Sequence, residues 1–278
     1  MKLFRQVKFA SVFYFMTETS AAIFGIYFRI RGVKQVLWYA HAHLPLRLRL
    51  ASLFMNSICS STEGSMPIKN HKVAFLGQMV DAKLFTYSPK PILNEMSLVH
   101  YGRFDESKNI KTLIKVARNI EKRRPFSTLT LIGSPTNLEA LKYQKAVLEE
   151  FEQEITRGVI KVLPACKRSE LPMLLMDFNI FVHAFQGSLD KSLVEATLIG
   201  IPAVTINGEY LSEFGTWSGK KPNDFSAPEE FLEYELEHVM SLEKTILFKE
   251  LAYRFQIAIS KHSLDNWLRK INQVLIGN

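Results

Sequence analysis

Two short stretches carry the residues best suited to chemistry. The first is Gly102-Arg103 with Lys108 five positions on. An arginine offers a planar fork of donors and a lysine a mobile point charge, so the pair suits a diphosphate. The second is GSLDKSLVEA at 187–196. Gly187 lets another backbone or ligand approach closely, and the amides of Ser188, Leu189, Asp190, Lys191 and Ser192 can face anionic oxygens if a helix starts there. Glu195, about one turn inside that helix, can accept both hydroxyls of a ribose. Each stretch alone also reads blandly, as a solvated basic loop and as a surface glutamate favoured by the helix dipole.

The elements around these stretches must bring them to one edge. From residue 97 the chain alternates between strand and helix patterns. Strands are expected at 97–104, 127–133, 159–164, 179–185 and 201–207, separated by four helices, with Ser107 and Ser169 as caps. Such alternation implies right-handed crossovers and a doubly wound parallel sheet, whose ligands sit at the carboxyl ends of the strands. Before residue 85 the pattern is thinner: strands at 34–43, 57–61 and 71–77 with a helix at 44–56. The last stretch, 227–276, reads as amphipathic helix.

Composition bounds the rest. The chain has 278 residues, 47% hydrophobic and 22% charged, with mean hydropathy near zero. That is enough for about two domains and excludes disorder. Two cysteines, Cys59 and Cys166, exclude a disulfide scaffold and point to a reducing compartment, the cytoplasm. The net charge of +8 is concentrated: residues 1–50 hold Lys2, Arg5, Lys8, Arg29, Arg31, Lys34, Arg47 and Arg49 against Glu18 alone. A basic, aromatic segment favours an anionic membrane surface, at the inner face, over nucleic acid. A helix that merely faces water is the competing explanation. In the apolar run 9–28 Glu18 sits beside Thr17, Thr19 and Ser20, so a buried or surface-bound helix is expected rather than a span. His41 and His43 share a strand face but lack a third ligand, so no metal site is expected. His183 reads as a core or cleft histidine, and Cys166 as a silent cysteine.

Taken in order, LVHYGRFDESKN, LTLIGSP, VIKVLPACKRSELPMLLMDFNIFVHAF and GSLDKSLVEATLIGIPAV resemble successive blocks of the C-terminal domain of retaining GT-B glycosyltransferases of the glycosyl transferases group 1 (family 4) type. HSLDNW (262–267) resembles the closing helix, and LWYAHA (37–42) and LGQMVDAKLF (76–85) the second half of the N-terminal domain. The resemblance implies an α/β GT-B-like fold. Residues 89–278 would form a complete doubly wound, Rossmann-like donor domain, and residues 1–88 an incomplete N-terminal, acceptor-side portion with a basic helix.

It also implies roles. Arg103 and Lys108 match the donor-diphosphate pair, with Gly102 in the same loop. Glu195 matches the ribose-binding second glutamate of a Glu-x7-Glu spacing whose first position is Gly187 here. Ser188, Leu189, Asp190 and Lys191 fill the glycine-loop positions, and His41 matches a histidine near the donor sugar and acceptor. The implied activity moves a sugar from a UDP- or GDP-sugar to a glycan or lipid-linked acceptor with retention, without a metal or other cofactor. The family's opening βα units have no counterpart, which leaves a truncated homologue that binds nucleotide or a partner chain without transfer as the alternative.

Overall fold

The computed structural model describes residues 10–92 and 95–276. Lys2, Arg5 and Lys8 of the basic segment lie outside the described residues. By internal contact the chain divides into two units, one of residues 1–79, 187–189 and 261–278, the other of 80–186 and 190–260. The boundary expected at 88/89 falls inside the second unit.

In the first unit, β1 (Ser11–Phe15), β2 (Lys34–Trp38), β3 (Ser57–Ser60) and β4 (Val73–Phe75) form a parallel sheet in the order β1-β2-β3-β4. Side chains alternate across β2. Leu37 joins Tyr14, Ile58 and Leu48 beneath α1 (Glu18–Ile30) and α2 (Leu46–Phe54). Val36 and Trp38 join Cys59 and Leu76 against Trp267 and Ile271 of α11 (Leu264–Ile276). Both faces are covered, as a parallel sheet requires.

The apolar run 9–28 is not the single helix expected. Its described part is a strand, a turn at Met16 (φ 54°) and the start of α1. Aromatic and β-branched residues in SVFYF favour the strand, and Glu18 falls in the first helical turn, where a carboxylate suits the helix dipole. Glu18 accepts a 2.6 Å bond from Arg47 Nε on α2.

Gln35 on β2 is fully buried and stitches three elements. It accepts from the Tyr14 hydroxyl at 3.1 Å, and its amide donates to the carbonyls of Gly25 (2.9 Å) and Phe54 (3.3 Å). A Cβ on Gly25 would lie 2.8 Å from Phe54, so only glycine lets α1 and α2 pack this closely.

The second unit is built on β5 (Ser97–Tyr101), β6 (Thr128–Ile132), β7 (Ile160–Leu163), β8 (Ile180–His183) and β9 (Ala203–Thr205). All pairs are parallel, in the order β7-β6-β5-β8-β9, the doubly wound arrangement expected. The chain reverses direction of travel between β5 and β8, which places a crevice beyond their carboxyl ends.

The intervening helices are α3 (Ile110–Arg123), α4 (Leu138–Glu150), α5 (Glu152–Thr156), α6 (Leu171–Leu175), α7 (Lys191–Ile199) and α8 (Gly208–Phe214), followed by α9 (Pro228–Ser241) and α10 (Lys244–His262). Leu113, Ile114, Ala117 and Ile120 of α3 pack with Leu98, Leu129 and Val182. Neither expected serine cap is used: Asn109 in the left-handed region (φ 54°) precedes α3, and Glu170 precedes α6, both without a side-chain cap bond. Among the described residues no helix is long and apolar enough to cross a membrane.

Candidate active site at the carboxyl edge of the second sheet

Three strand ends frame the site. Gly102 N–H donates to Ile132 O (3.0 Å), Gly133 N–H to Leu163 O (3.0 Å) and Phe104 N–H to Ser134 O (3.2 Å). A Cβ on Gly133 would stand 1.9 Å from the Gly102 carbonyl oxygen, so the two loops touch through bare backbone.

Lys108 ends a single 3-10 turn, Glu106–Lys108, and its side chain runs inward. The ammonium pairs with Asp190 Oδ2 and lies 4.2 Å from the centre of the Phe185 ring. Asp190 is the N-cap of α7, its Oδ1 accepting the Ser192 N–H at 3.2 Å. His183 Nε2 lies 3.3 Å from Asp190 Oδ2, and its Nδ1 lies 3.1 Å from Thr205 Oγ1. The ionised Asp190 carboxylate can only accept, which leaves Nδ1 to accept from the Thr205 hydroxyl, whose oxygen also accepts the Asn207 N–H at 3.0 Å. Nε2 then carries the imidazole proton and donates it to Asp190. Burial keeps His183 neutral, pulling its pKa down against the pull of Asp190. Burial opposes ionisation of Asp190, but the His183 hydrogen bond and the Lys108 ammonium outweigh it and hold the carboxyl well below its usual range.

Glu195 is buried on α7. Its Oε2 accepts from the Tyr101 hydroxyl at 2.6 Å, and its Oε1 pairs with Arg168. The same hydroxyl lies 3.0 Å from the Ser192 carbonyl. Burial raises the Glu195 pKa, with Tyr101 and Arg168 pulling the other way. Lys191, beside it in sequence, has its pKa lowered by burial and by Arg168.

The structure therefore brings Lys108, Asp190 and Glu195 to one strand edge. It turns Arg103 elsewhere: that side chain is 60% exposed, pairs with Asp105 at 3.4 Å, and lines a cavity of about 320 Å³ with Asn137 and Tyr143. Gly187, Ser188 and Leu189 group with the first unit, where the Leu189 carbonyl accepts from the Gln78 side-chain amide. His41 is also in the first unit, exposed, its ring 5.6 Å from that of Tyr39. Among the described residues no group of three His, Cys, Asp or Glu side chains is placed to hold a metal ion. Cys59 is buried, which pushes its thiol up to about 12.

Sequence reasoning missed Tyr101, Arg168, His100 and Phe185 and left His183 unassigned. Strand ends were the available signal: Tyr101 and His183 are the last residues of β5 and β8. His100 is fully buried, its Nδ1 3.0 Å from the Val182 carbonyl, and burial together with His183 lowers its pKa to about 3.

Both histidines are neutral in the fold and would be charged in the unfolded chain below its value of about 6.5, so their contribution is complete above that value and lost on acidification. His100 alone should cost about 2 kcal/mol between pH 7 and pH 5. Urea melts at the two pH values check this, and a His100→Leu variant should lose part of the slope. A wild-type slope of zero would show that the imidazoles are not held neutral.

A doubly wound second sheet and a parallel first sheet are the elements of a GT-B fold. Crystal structures of low sequence identity share it. HepE of Anabaena, in complex with UDP and glucose, superposes with a TM-score of 0.75 at 16% identity, over 96% of this chain and 78% of that one. The pneumococcal O-GlcNAc transferase GtfA, in complex with UDP and GlcNAc, gives 0.65 at 14%, over 92% and 55%. The N-terminal domain of Candida albicans trehalose-6-phosphate phosphatase gives 0.77 at 11%, over 99% and 72%. No curated protein matches the chain in sequence. Residues 89–215 match the family of glycosyl transferases group 1.

Proposed function

We propose that the chain transfers a sugar from a nucleoside-diphosphate donor, UDP- or GDP-linked, to a glycan or lipid-linked acceptor with retention of anomeric configuration. The observation that carries this reading is that a buried cation, Lys108, and a buried carboxylate, Glu195, each held by partners of its own, stand at one strand edge inside the segment that matches group 1. In this reading Lys108, Arg103 and the amides opening α7 neutralise the departing diphosphate, whose charge grows as the bond to the sugar breaks. Arg103 has to swing from Asp105 to take part. Glu195 takes the donor ribose, with Gly102 and Lys191 beside it. The acceptor hydroxyl attacks from the face the diphosphate leaves, so no protein nucleophile is called for. The cations take the part a metal would play, so no metal is called for either. His41 and the loop Gly187-Ser188-Leu189 rest on the resemblance alone, His41 as a hydrogen-bond donor to a sugar hydroxyl.

Incubation with UDP- and GDP-sugars and candidate acceptors, read by mass spectrometry and by the anomeric NMR coupling of the product, tests the reading. A glycoside of the donor's own anomeric form is expected. Nucleotide binding with no transfer would support the second reading, a non-catalytic binder, which Gly187 favours by standing where the family places a carboxylate.

The working location in this reading is the cytoplasmic face of an anionic membrane. Helices α1 and α2 each present an exposed apolar stripe, Ile23, Ile26 and Ile30 on one and Leu46, Leu50 and Leu53 on the other. Exposed Arg29, Arg31, Arg47 and Arg49 accompany them. Apolar stripes among arginines suit an anionic lipid interface. The protein is expected to float with vesicles containing phosphatidylglycerol, and a Leu50→Glu/Leu53→Glu variant to stay at the bottom of the gradient. Wild type remaining unbound at low salt would remove the membrane from the reading.

A further inference from the structure

We propose that the Asp190 carboxylate is a resident occupant of the diphosphate seat, a stand-in anion that an incoming phosphate group must displace. The inference rests on the reading of this edge as a nucleoside-diphosphate site and adds the residue that limits its affinity.

Three donors of different kinds converge on the one carboxylate: the Lys108 ammonium and the His183 Nε2–H on Oδ2, and the Ser192 amide of α7 on Oδ1. A cation, an imidazole N–H and a helix N-terminal amide are a donor set suited to a phosphate. Here that set is filled from within the chain. Exposure orders the cluster: the Asp190 side chain is 20% exposed, that of Lys108 8% and that of His183 0%. The carboxylate is thus the outermost member and covers the cation from solvent.

A carboxylate also uses the seat incompletely. Ser192 Oγ, in the first turn of α7, and His100 Nε2 are buried without a hydrogen-bond partner among the described residues. A phosphate brings more oxygens than a carboxylate and could take the Ser192 hydroxyl as a further donor. The second proposed diphosphate cation is occupied in the same manner, Arg103 by Asp105. Both cations therefore rest on internal carboxylates, and Asp190 is the one that lies over a buried partner.

The consequence for turnover is an exchange. Donor binding moves Asp190 off Lys108, and the return of Asp190 after transfer helps expel the nucleoside diphosphate. The residue therefore limits affinity and assists product release.

Asp190→Asn tests this directly. Asparagine keeps the side-chain acceptor that caps α7, so the helix start survives, while the negative charge is gone. Asp190→Ser, another capping residue, is the second variant should the first fold poorly. Binding of pyrophosphate, UDP and GDP is measured by calorimetry on wild type, both variants and the Asp190→Asn/Lys108→Met double variant. At least about tenfold tighter binding of pyrophosphate and of one nucleotide is expected in the single variants, with the gain abolished in the double variant. Nucleotide binding that is equal or weaker in the single variants overturns the stand-in and leaves the donor reading intact. A Lys108-dependent gain for pyrophosphate, with no nucleotide bound by any form, keeps the anion seat and overturns the nucleoside reading. No gain for any of the three overturns the proposal.

Discussion

Lys108→Met is expected to lower kcat/KM for the proposed sugar transfer by about 10²–10³-fold, the size of effect found when a single preorganised donor to a developing charge is removed. Methionine has nearly the length of lysine and an apolar stem, so the space beside Phe185 stays filled while the ammonium and its contact with the ring are lost. The effect should fall on kcat as well as on donor affinity, because the diphosphate gathers charge as the glycosidic bond breaks. Asp190 keeps its bonds to His183 and to the Ser192 amide. Its fifth-exposed carboxylate is therefore not orphaned, and the folding cost should stay below the ~3–5 kcal/mol that follows from stranding a buried ion. Steady-state kinetics beside a thermal melt separate the two effects. Transfer at the wild-type rate would remove Lys108 from the reacting centre.

Substitution of Glu195 divides binding from folding. Glu195→Ala should weaken nucleoside-diphosphate binding by about 1–3 kcal/mol, five- to 150-fold in Kd, if the carboxylate holds the ribose. It should also destabilise the fold by a comparable amount, because the buried Tyr101 hydroxyl loses its acceptor. Glu195→Gln separates these. The amide oxygen still accepts from Tyr101, and burial already disfavours the charged carboxylate, so the melting temperature should stay close to wild type. The lost partner, Arg168, is 53% exposed and can be resolvated, so that pair adds little. Ribose binding should nevertheless weaken, because one acceptor oxygen becomes a donor group. Calorimetric titration with UDP and GDP, on protein shown to be folded, checks both variants. Unchanged dissociation constants in both would make Glu195 a structural residue that anchors Tyr101.

The second sheet was legible because each of its strands is an apolar run bounded by a turn signal and followed by an amphipathic helix. Parallel pairing then followed from the strand–helix alternation, while the order β7-β6-β5-β8-β9 was not readable from it. The first unit was less legible at its start. The run from residue 10 to 28 has no glycine or proline before Gly25 to mark the break, and the turn is made by Met16 at a positive φ that sequence does not advertise. Periodicity cannot tell a short buried strand from a helical segment there. At the site, the residue types were readable and their pairings were not. Asp190 lies 82 positions from Lys108 and Glu195 lies 94 from Tyr101, and such partners are fixed by the order β5-β8 rather than by local spacing. Arg103 shows the limit of motif reasoning. Its position at the end of β5 was right, but the side chain is captured by Asp105, two residues on.

The bare-backbone contact between Gly133 and the Gly102 carbonyl has a practical side. Anyone building mutant libraries on this scaffold has to leave Gly133 as it is, since even a methyl group there would collide with the Gly102 carbonyl oxygen, whereas Gly102 itself has room for one. Diversity belongs instead on neighbouring exposed side chains, such as Thr136 and Glu139, where variation leaves that contact undisturbed.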